Sequence, residues 1–483
     1  MNEIINNFIN GKFVSSKSDQ ISVWNPQNGK KLTEVTNSSL KELDQAVNAA
    51  KNAYKSWSKF TLKERVEFFF EFRNQLRNNI DSLSDSICQE NGKTFEEAKA
   101  EVLKGIELTE FACSMPQIIH DEIQEVSRGV ECRSSHVPVG IVSSITPFNF
   151  PIMVPMWTIP NALVLGNCMI LKPSEQTPVG ASKIAELLKI SGLPDGVFNV
   201  INGNKKVVEG ICNHKDISAI SFVGSTKIAK NIYKKSTASL KRCLALGGAK
   251  NHLIVLPDAN SEMASNDIVA SMSGCAGQRC MAASAMIGVG KIQETIDKIK
   301  NKAKNVIPGK NLGSVISKEA KERIEKYIDE AEKEGAKIIL DGRSAKVIGK
   351  ENGYYVGPTI LDYVTPEMKI AKEEVFGPVL AIMRTEEIDN AIKIENNSNY
   401  GNASSVYTQD GNLANYITEK VSAGMVGVNI GVPVPREPFS FGGWNESRFG
   451  VGDITGKSSI NFWTRLKKRT SKWNASAKKN WMS

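Results

Sequence analysis

Histidine is scarce in this chain, with four in 483 residues, and no CxxC pair occurs. His120, His136, His214 and His252 stand far apart, so the ligand spacing of a structural zinc site is missing and no metal is expected. The eight cysteines (Cys88, Cys113, Cys132, Cys168, Cys212, Cys243, Cys275 and Cys280) follow no disulfide-framework spacing, which suits a reducing cytoplasm. No apolar run reaches the roughly 18 residues of a membrane span. The opening MNEIINNFINGKF lacks the basic-then-apolar order of a secretory signal. A large charge excess is also missing. Against 52 acidic residues stand 61 basic ones, and the resulting +9 is too small for this length to indicate nucleic acid. The basic residues are densest in RLKKRTSKWNASAKKNW, which reads as a solvated terminal segment or, alternatively, as a contact for an acidic surface. Finally, there is no GxGxxG fingerprint.

What is present belongs to an ordinary globular protein, with 23% charged and 41% hydrophobic residues. The length exceeds one ordinary core and predicts two or more lobes. Residues 39–112 read as helices; SLKELDQAVNAAKNAYKSW has apolar residues at helical spacing behind Ser39 as N-cap. After residue 136 short apolar runs (VPVGIVSSITPF, NCMILK, GVFNVI, DISAISFVG) alternate with helical stretches, one framed by Pro178 and Gly192. That alternation predicts a doubly wound parallel sheet. A second alternating region runs from HLIVLPDA past residue 430, with Ser317 as cap of a helix that leads into a strand.

Several stretches carry candidate chemistry. FVGSTKIAK is a strand, then Gly224 and Ser225, then a helix, either a phosphate-binding turn or an ordinary tight one. LKPSE ends a strand with Lys172 and Glu175, where α/β folds collect ligands; a carboxylate there would accept ribose hydroxyls and repel a 2′-phosphate, or the loop is simply solvated. ITPFNFP places Asn149 among prolines and aromatics, as an oxyanion donor or as a turn asparagine. EEVFGPV joins two carboxylates, Phe376 and a Gly-Pro turn, and a polar loop is the plain alternative. GCAGQRCMA contains Cys280 beside Arg279. A cysteine is commonly a buried hydrophobe; as a nucleophile it needs a cation or helix terminus to favour its thiolate.

From FINGKFV to INFWTRLKK, the stretches TPFNFP, LKPSEQTP, FVGST, LGGAKN, GQRCMA, EEVFGPV and FSFGG resemble, in order, the aldehyde dehydrogenase superfamily. The resemblance implies a Rossmann-type NAD domain (1–119 and 139–248), an α/β catalytic domain (249–443) and a small β oligomerisation arm (120–138 and 444–483), hence a homo-oligomer, dimer or tetramer. It implies Cys280 as the nucleophile that forms a thiohemiacetal, with Asn149 and the Cys280 N–H as oxyanion hole. NAD contacts are then Thr146, Phe148, Lys172, Glu175, Gly224, Ser225, Glu374 and Phe376.

One departure decides the acyl acceptor. Most members carry a glutamate base in an ELGGK-type motif. At the corresponding spacing before Cys280 this chain has Leu246, flanked by Ala245 and Gly247, and none is a carboxylate. Water at the thioester would lack its base, whereas a thiol such as coenzyme A ionises far more readily. GAKNH and AGQRCMA resemble the CoA-acylating methylmalonate-semialdehyde dehydrogenase branch. That branch holds the substrate carboxylate with two arginines. One matches Arg279; at the other position this chain has Lys104, which keeps the charge without the bidentate fork. Arg436 in PVPREPFSFGG is a possible replacement. The expectation is an NAD-dependent, CoA-acylating oxidation of methylmalonate or malonate semialdehyde to propionyl-CoA or acetyl-CoA. The alternatives are a hydrolytic semialdehyde dehydrogenase and a catalytically silent NAD-binding protein on the same fold.

Overall fold

The computed structural model describes residues 4–16 and 18–473, so the end of the basic tail lies outside the described residues. Four helices, Leu40–Trp57, Leu62–Asn78, Ile80–Asn91 and Phe95–Cys113, occupy the expected helical stretch. Three begin with reciprocal capping boxes. Ser39 N–H donates to Glu42 at 2.7 Å, Thr61 N–H to Glu64 at 2.6 Å and Thr94 N–H to Glu97 at 3.1 Å, each satisfying a backbone donor that the helix cannot.

These helices pack with an eight-stranded sheet. Its five central strands are parallel, in the order Phe198–Val200, Cys168–Lys172, Ile141–Ile145, Ile217–Val223, Arg242–Leu246. The expected parallel sheet is therefore its centre, while the edges are antiparallel: Asn7–Ile9 with Lys12–Val14 on one side and Arg448–Phe449 on the other. The central strands are almost wholly buried, the continuous apolar pattern of a sheet covered on both faces. Their C-terminal ends run into residues 146–149, 172–175, 224–225 and 247–248 along one edge.

A second sheet has seven strands, in the order Lys337–Leu340, Thr359–Asp362, Val379–Thr385, Ala283–Val289, Asn251–Val255, Ala403–Tyr407, Met425–Val428. All neighbours are parallel except the first pair. Ser317 caps the helix Lys318–Lys333, its hydroxyl accepting from Ala320 N–H at 3.1 Å. Glu122–Ser127, Val130–Pro138 and Thr464–Lys472 form a third, antiparallel sheet. Residues 444–463, expected with this arm, lie instead on the two main bodies. Trp444–Asn445 pairs with Tyr400–Gly401, Arg448–Phe449 edges the first sheet, and the helix Gly456–Trp463 packs on the helix Met153–Val164. The reason is burial: Ile460, Phe462 and Trp463 are apolar and enclosed, whereas the arm strand that follows is almost entirely exposed. Among the described residues no helix is long and apolar enough to cross a membrane.

Candidate active site

Cys280 follows the helix Ser261–Ser273 and a tight turn that requires unusual backbone. Cys275 and Ala276 both have φ 53°, and a side chain on Gly277 would meet the Gly377 carbonyl at 2.0 Å, so only glycine fits there. The turn is tied down by Cys275 N–H, which donates to Glu97 Oε1 at 2.6 Å, and by Gln278 Oε1, which accepts from Ile316 N–H at 3.0 Å. The Cys280 carbonyl accepts from Asn251 Nδ2 at 2.7 Å and Asn402 Nδ2 at 2.9 Å. Asn251 opens one strand of the second sheet and Asn402 immediately precedes another, so that sheet holds the Cys280 backbone in place.

Cys280 is half-buried and lines two cavities. The first, about 550 Å³, is walled by Trp157, Phe441, Lys104, Arg279, Arg436 and Glu437 among others. The second, about 510 Å³, is walled by Phe148, Asn149, Gly224, Ser225, Glu374 and Phe376 among others. Burial pushes the thiol up to about 12; the Glu374 charge adds to this, while Arg279 and the residue's own backbone N–H oppose it. Cys275, in the same first cavity, is likewise pushed up to about 11 by burial.

Asn149 is 6% exposed at the end of the strand Ile141–Ile145. Its Nδ2 donates one hydrogen bond to the Gln278 carbonyl at 3.0 Å, leaving the second amide hydrogen free for a ligand. That contact joins the first sheet to the turn that carries Cys280.

The cations of the first cavity are not equivalent. Lys104 is present, but its ammonium is paired with Glu437 at 2.7 Å and Glu107 at 3.0 Å. Arg436 is exposed at the outer end, where the cavity adjoins a second hollow that also contains Glu107 and Lys457. Arg279 Nη2 donates to the carbonyls of Ala270 at 2.9 Å and Ser271 at 2.8 Å, and its Nε is buried without a partner. Among the described residues no carboxylate neutralises Arg279.

In the second cavity Phe148 and Phe376 meet edge to face at 5.9 Å. Ser225 heads the helix Thr226–Ala238 with no side-chain cap, leaving its first turn open for an anion. Glu374 rests against Gly248, where a Cβ would come within 2.4 Å of its carboxylate oxygen, and burial raises it to about 7. Thr146, Lys172 and Glu175 do not line this cavity. They lie at the ends of the next strands along the same edge: Thr146 N–H donates to the Lys172 carbonyl at 3.0 Å, and Lys172 Nζ pairs with Glu175 at 2.8 Å. The set fits a dinucleotide laid along the edge, with hydroxyl-accepting carboxylates at 175 and 374 and the open helix end between. Leu246 is 4% exposed, packs in the core and lines neither cavity. The carboxylates on the cavity wall are Glu373, which accepts from Tyr327 Oη at 2.5 Å, and Glu374.

Sequence reasoning passed over several polar residues that the structure buries here. Lys250 is 3% exposed, its Nζ has no hydrogen-bond partner, and burial lowers it to about 8 against the pull of Glu374. Asn251, Asn402, Lys93 and Glu101 are buried as well. A signal for Glu101 existed: it shares a helical face with Ala98, Val102 and Gly105, which no solvated carboxylate would.

The aldehyde dehydrogenase family profile matches residues 13–469. Malonate-semialdehyde dehydrogenase 2 of Geobacillus kaustophilus is 43% identical over 98% of this chain and 99% of its own. The solved methylmalonate-semialdehyde dehydrogenase of Oceanimonas doudoroffii is 39% identical and superposes with a TM-score of 0.97 over 98% of this chain and 99% of its own. The NAD+ complex of a Bacillus cereus aldehyde dehydrogenase is 30% identical, with a TM-score of 0.93 over 98% and 97%. With a profile match and a full-length likeness to relatives in agreement, the chain belongs to the aldehyde dehydrogenase family.

Proposed function

We propose that this enzyme oxidises a short 3-oxo acid, malonate or methylmalonate semialdehyde, in the cytoplasm, and delivers the product to coenzyme A as acetyl-CoA or propionyl-CoA. The observation that carries the reading is the place of Cys280 as the shared wall of two cavities, one containing Arg279, which no carboxylate of the described residues pairs, and one built from cofactor-type residues. When bound, NAD accepts a hydride.

Cys280 attacks the aldehyde carbon to form the thiohemiacetal. The free amide hydrogen of Asn149 and the Cys280 N–H stabilise the oxyanion, a contribution worth about 2.7–4 kcal/mol per donor. Arg279 holds the substrate carboxylate, since its charge is not spent on another carboxylate. Lys104 joins it only by loosening its pairs with Glu437 and Glu107. Loss of the hydride leaves a Cys280 thioester that carries a β-carboxylate. That carboxylate departs as CO2, its bonding pair passing to the thioester as an enolate in the same oxyanion site, and a proton returns to carbon. The thiolate of CoA then attacks the thioester carbonyl and Cys280 leaves as thiolate. Residues 245–247 contribute no base for water, which favours a thiol acceptor. Glu175 and Glu374 hold ribose hydroxyls, and Ser225 with the helix behind it holds phosphate. The arm, with Ile123, Val126 and Leu466 exposed on it, supports a dimer or tetramer.

The test is NADH formation from malonate semialdehyde, methylmalonate semialdehyde and propanal, with and without CoA. The expected result is a burst of about one NADH per site without CoA, and with CoA a steady rate orders of magnitude faster, together with an acyl-CoA. Rapid steady release of free acid without CoA would return the protein to the hydrolytic class.

A further inference from the structure

Residues 91–101, the turn and first helical turns that precede the site in the chain, grip both halves of the oxyanion hole. Asn91 Nδ2 donates to the Phe148 carbonyl at 2.9 Å. Lys93 Nζ donates to the Asn149 carbonyl at 2.6 Å and to Glu101 Oε2 at 2.5 Å, and lies 3.7 Å from the centre of the Phe150 ring. Glu101 Oε1 accepts from the N–H groups of Ile152 at 2.8 Å and Met153 at 3.0 Å, where the helix Met153–Val164 begins. Glu97 Oε1 holds Cys275 N–H at 2.6 Å, and its Oε2 accepts from Thr94. One short segment thus fixes the Asn149 loop from one side and the Cys280 turn from the other.

Both Lys93 and Glu101 are 2% exposed. A buried ion pair adds little net stability over a well-packed apolar pair, because desolvation offsets its attraction. What it adds is geometry, since every oxygen of Glu97 and Glu101 is engaged by the protein. Neither carboxylate is free to serve as a base, and Lys93 meets a backbone carbonyl rather than the reacting atoms.

We propose that Lys93, Glu97 and Glu101 form a bracket of positioning residues that sets the distance between the Asn149 amide and the Cys280 backbone N–H, and so the strength of the oxyanion hole. This rests on the reading of Asn149 as oxyanion donor. The donors act within a few tenths of an ångström, and a displacement of about 1 Å costs on the order of a hundredfold in rate.

The test is Lys93→Met in the full enzyme, read by stopped flow. The expected result is a 10- to 100-fold slower NADH burst with propanal, with unchanged affinity for NAD and unchanged alkylation of Cys280 by iodoacetamide, which needs no oxyanion hole. In an Asn149→Ala background the same substitution should cost nothing further, since the group that it positions is gone. Glu101→Gln, which keeps an acceptor for Ile152 and Met153 and removes only the charge facing Lys93, carries the same test where Lys93→Met does not fold, with a loss of about tenfold. A wild-type burst in the folded variants, or an equal additional loss in the Asn149→Ala background, overturns the bracket. A wild-type burst in Asn149→Ala itself overturns the oxyanion reading, and the bracket with it.

Discussion

Replacing Arg279 with leucine removes the cation beside Cys280 that no carboxylate of the described residues neutralises. Its guanidinium is held at one end, Nη2 on the carbonyls of Ala270 and Ser271 at 2.9 and 2.8 Å, while Nε is buried without a partner. In the proposed reading a substrate carboxylate completes that arrangement. Hydrogen bonds to a charged group are worth about 1.5–3 kcal/mol; at about 1.4 kcal/mol per tenfold, kcat/KM for malonate semialdehyde should fall about 10- to 150-fold. A second effect must be separated from this one. The Arg279 charge also holds the Cys280 thiol down against burial, so its loss raises the thiol further and slows every aldehyde at a given pH. Propanal, which has no carboxylate, reports that common effect alone. The quantity to measure is therefore kcat/KM for malonate semialdehyde divided by that for propanal, with the pH midpoint of Cys280 alkylation alongside. The ratio should fall by the stated factor and the midpoint should rise. Thermal stability should drop as well, since two carbonyls near the end of the helix Ser261–Ser273 lose their donor, at about 1 kcal/mol per hydrogen bond. An unchanged substrate ratio would refute the anchor and leave Arg279 a structural residue.

Cys280→Ser should abolish aldehyde oxidation while NAD still binds, because a hydroxyl without a base is a far weaker nucleophile; turnover by this variant would remove Cys280 from the mechanism. Serine at exposed or half-buried positions such as Cys132 should leave activity intact, whereas at the fully buried Cys168 and Cys212 it should lower the melting temperature. Glu175→Gln should narrow the preference for NAD over NADP, as the carboxylate that repels a 2′-phosphate is lost; equal use of both cofactors by the wild type would refute the role. Glu374, raised from 4.5 to about 7 by burial, contributes stability that is complete below pH 4.5 and lost as pH rises through about 7. The melting temperature of Glu374→Gln relative to wild type should accordingly climb between those values and level off above, and a flat difference would show that the carboxylate is not strained by burial.

The sequence by itself determined the elements and their order, for local reasons. Ser39, Thr61 and Ser317 start helices because a side-chain oxygen satisfies an orphan backbone donor within three residues. The runs at 141–145 and 168–172 are central strands because both faces are apolar. Cys280, Asn149, Lys172, Glu175, Gly224, Ser225, Glu374 and Phe376 were legible as ordered motifs, and so was the lack of a carboxylate at 245–247. Tertiary structure decided what local pattern cannot encode. It paired Trp444–Asn445 with Tyr400–Gly401 and put Arg448–Phe449 on the edge of the first sheet, because strand pairing joins residues far apart in the chain. It tied Lys104 to Glu437, 333 positions away, and left Arg279 the unneutralised cation. It brought Lys93 beneath Asn149, and Asn251 and Asn402 onto the Cys280 carbonyl. Charge and polarity are written in the sequence, but which partner satisfies each buried group depends on distance in space, and only the packed chain sets that distance.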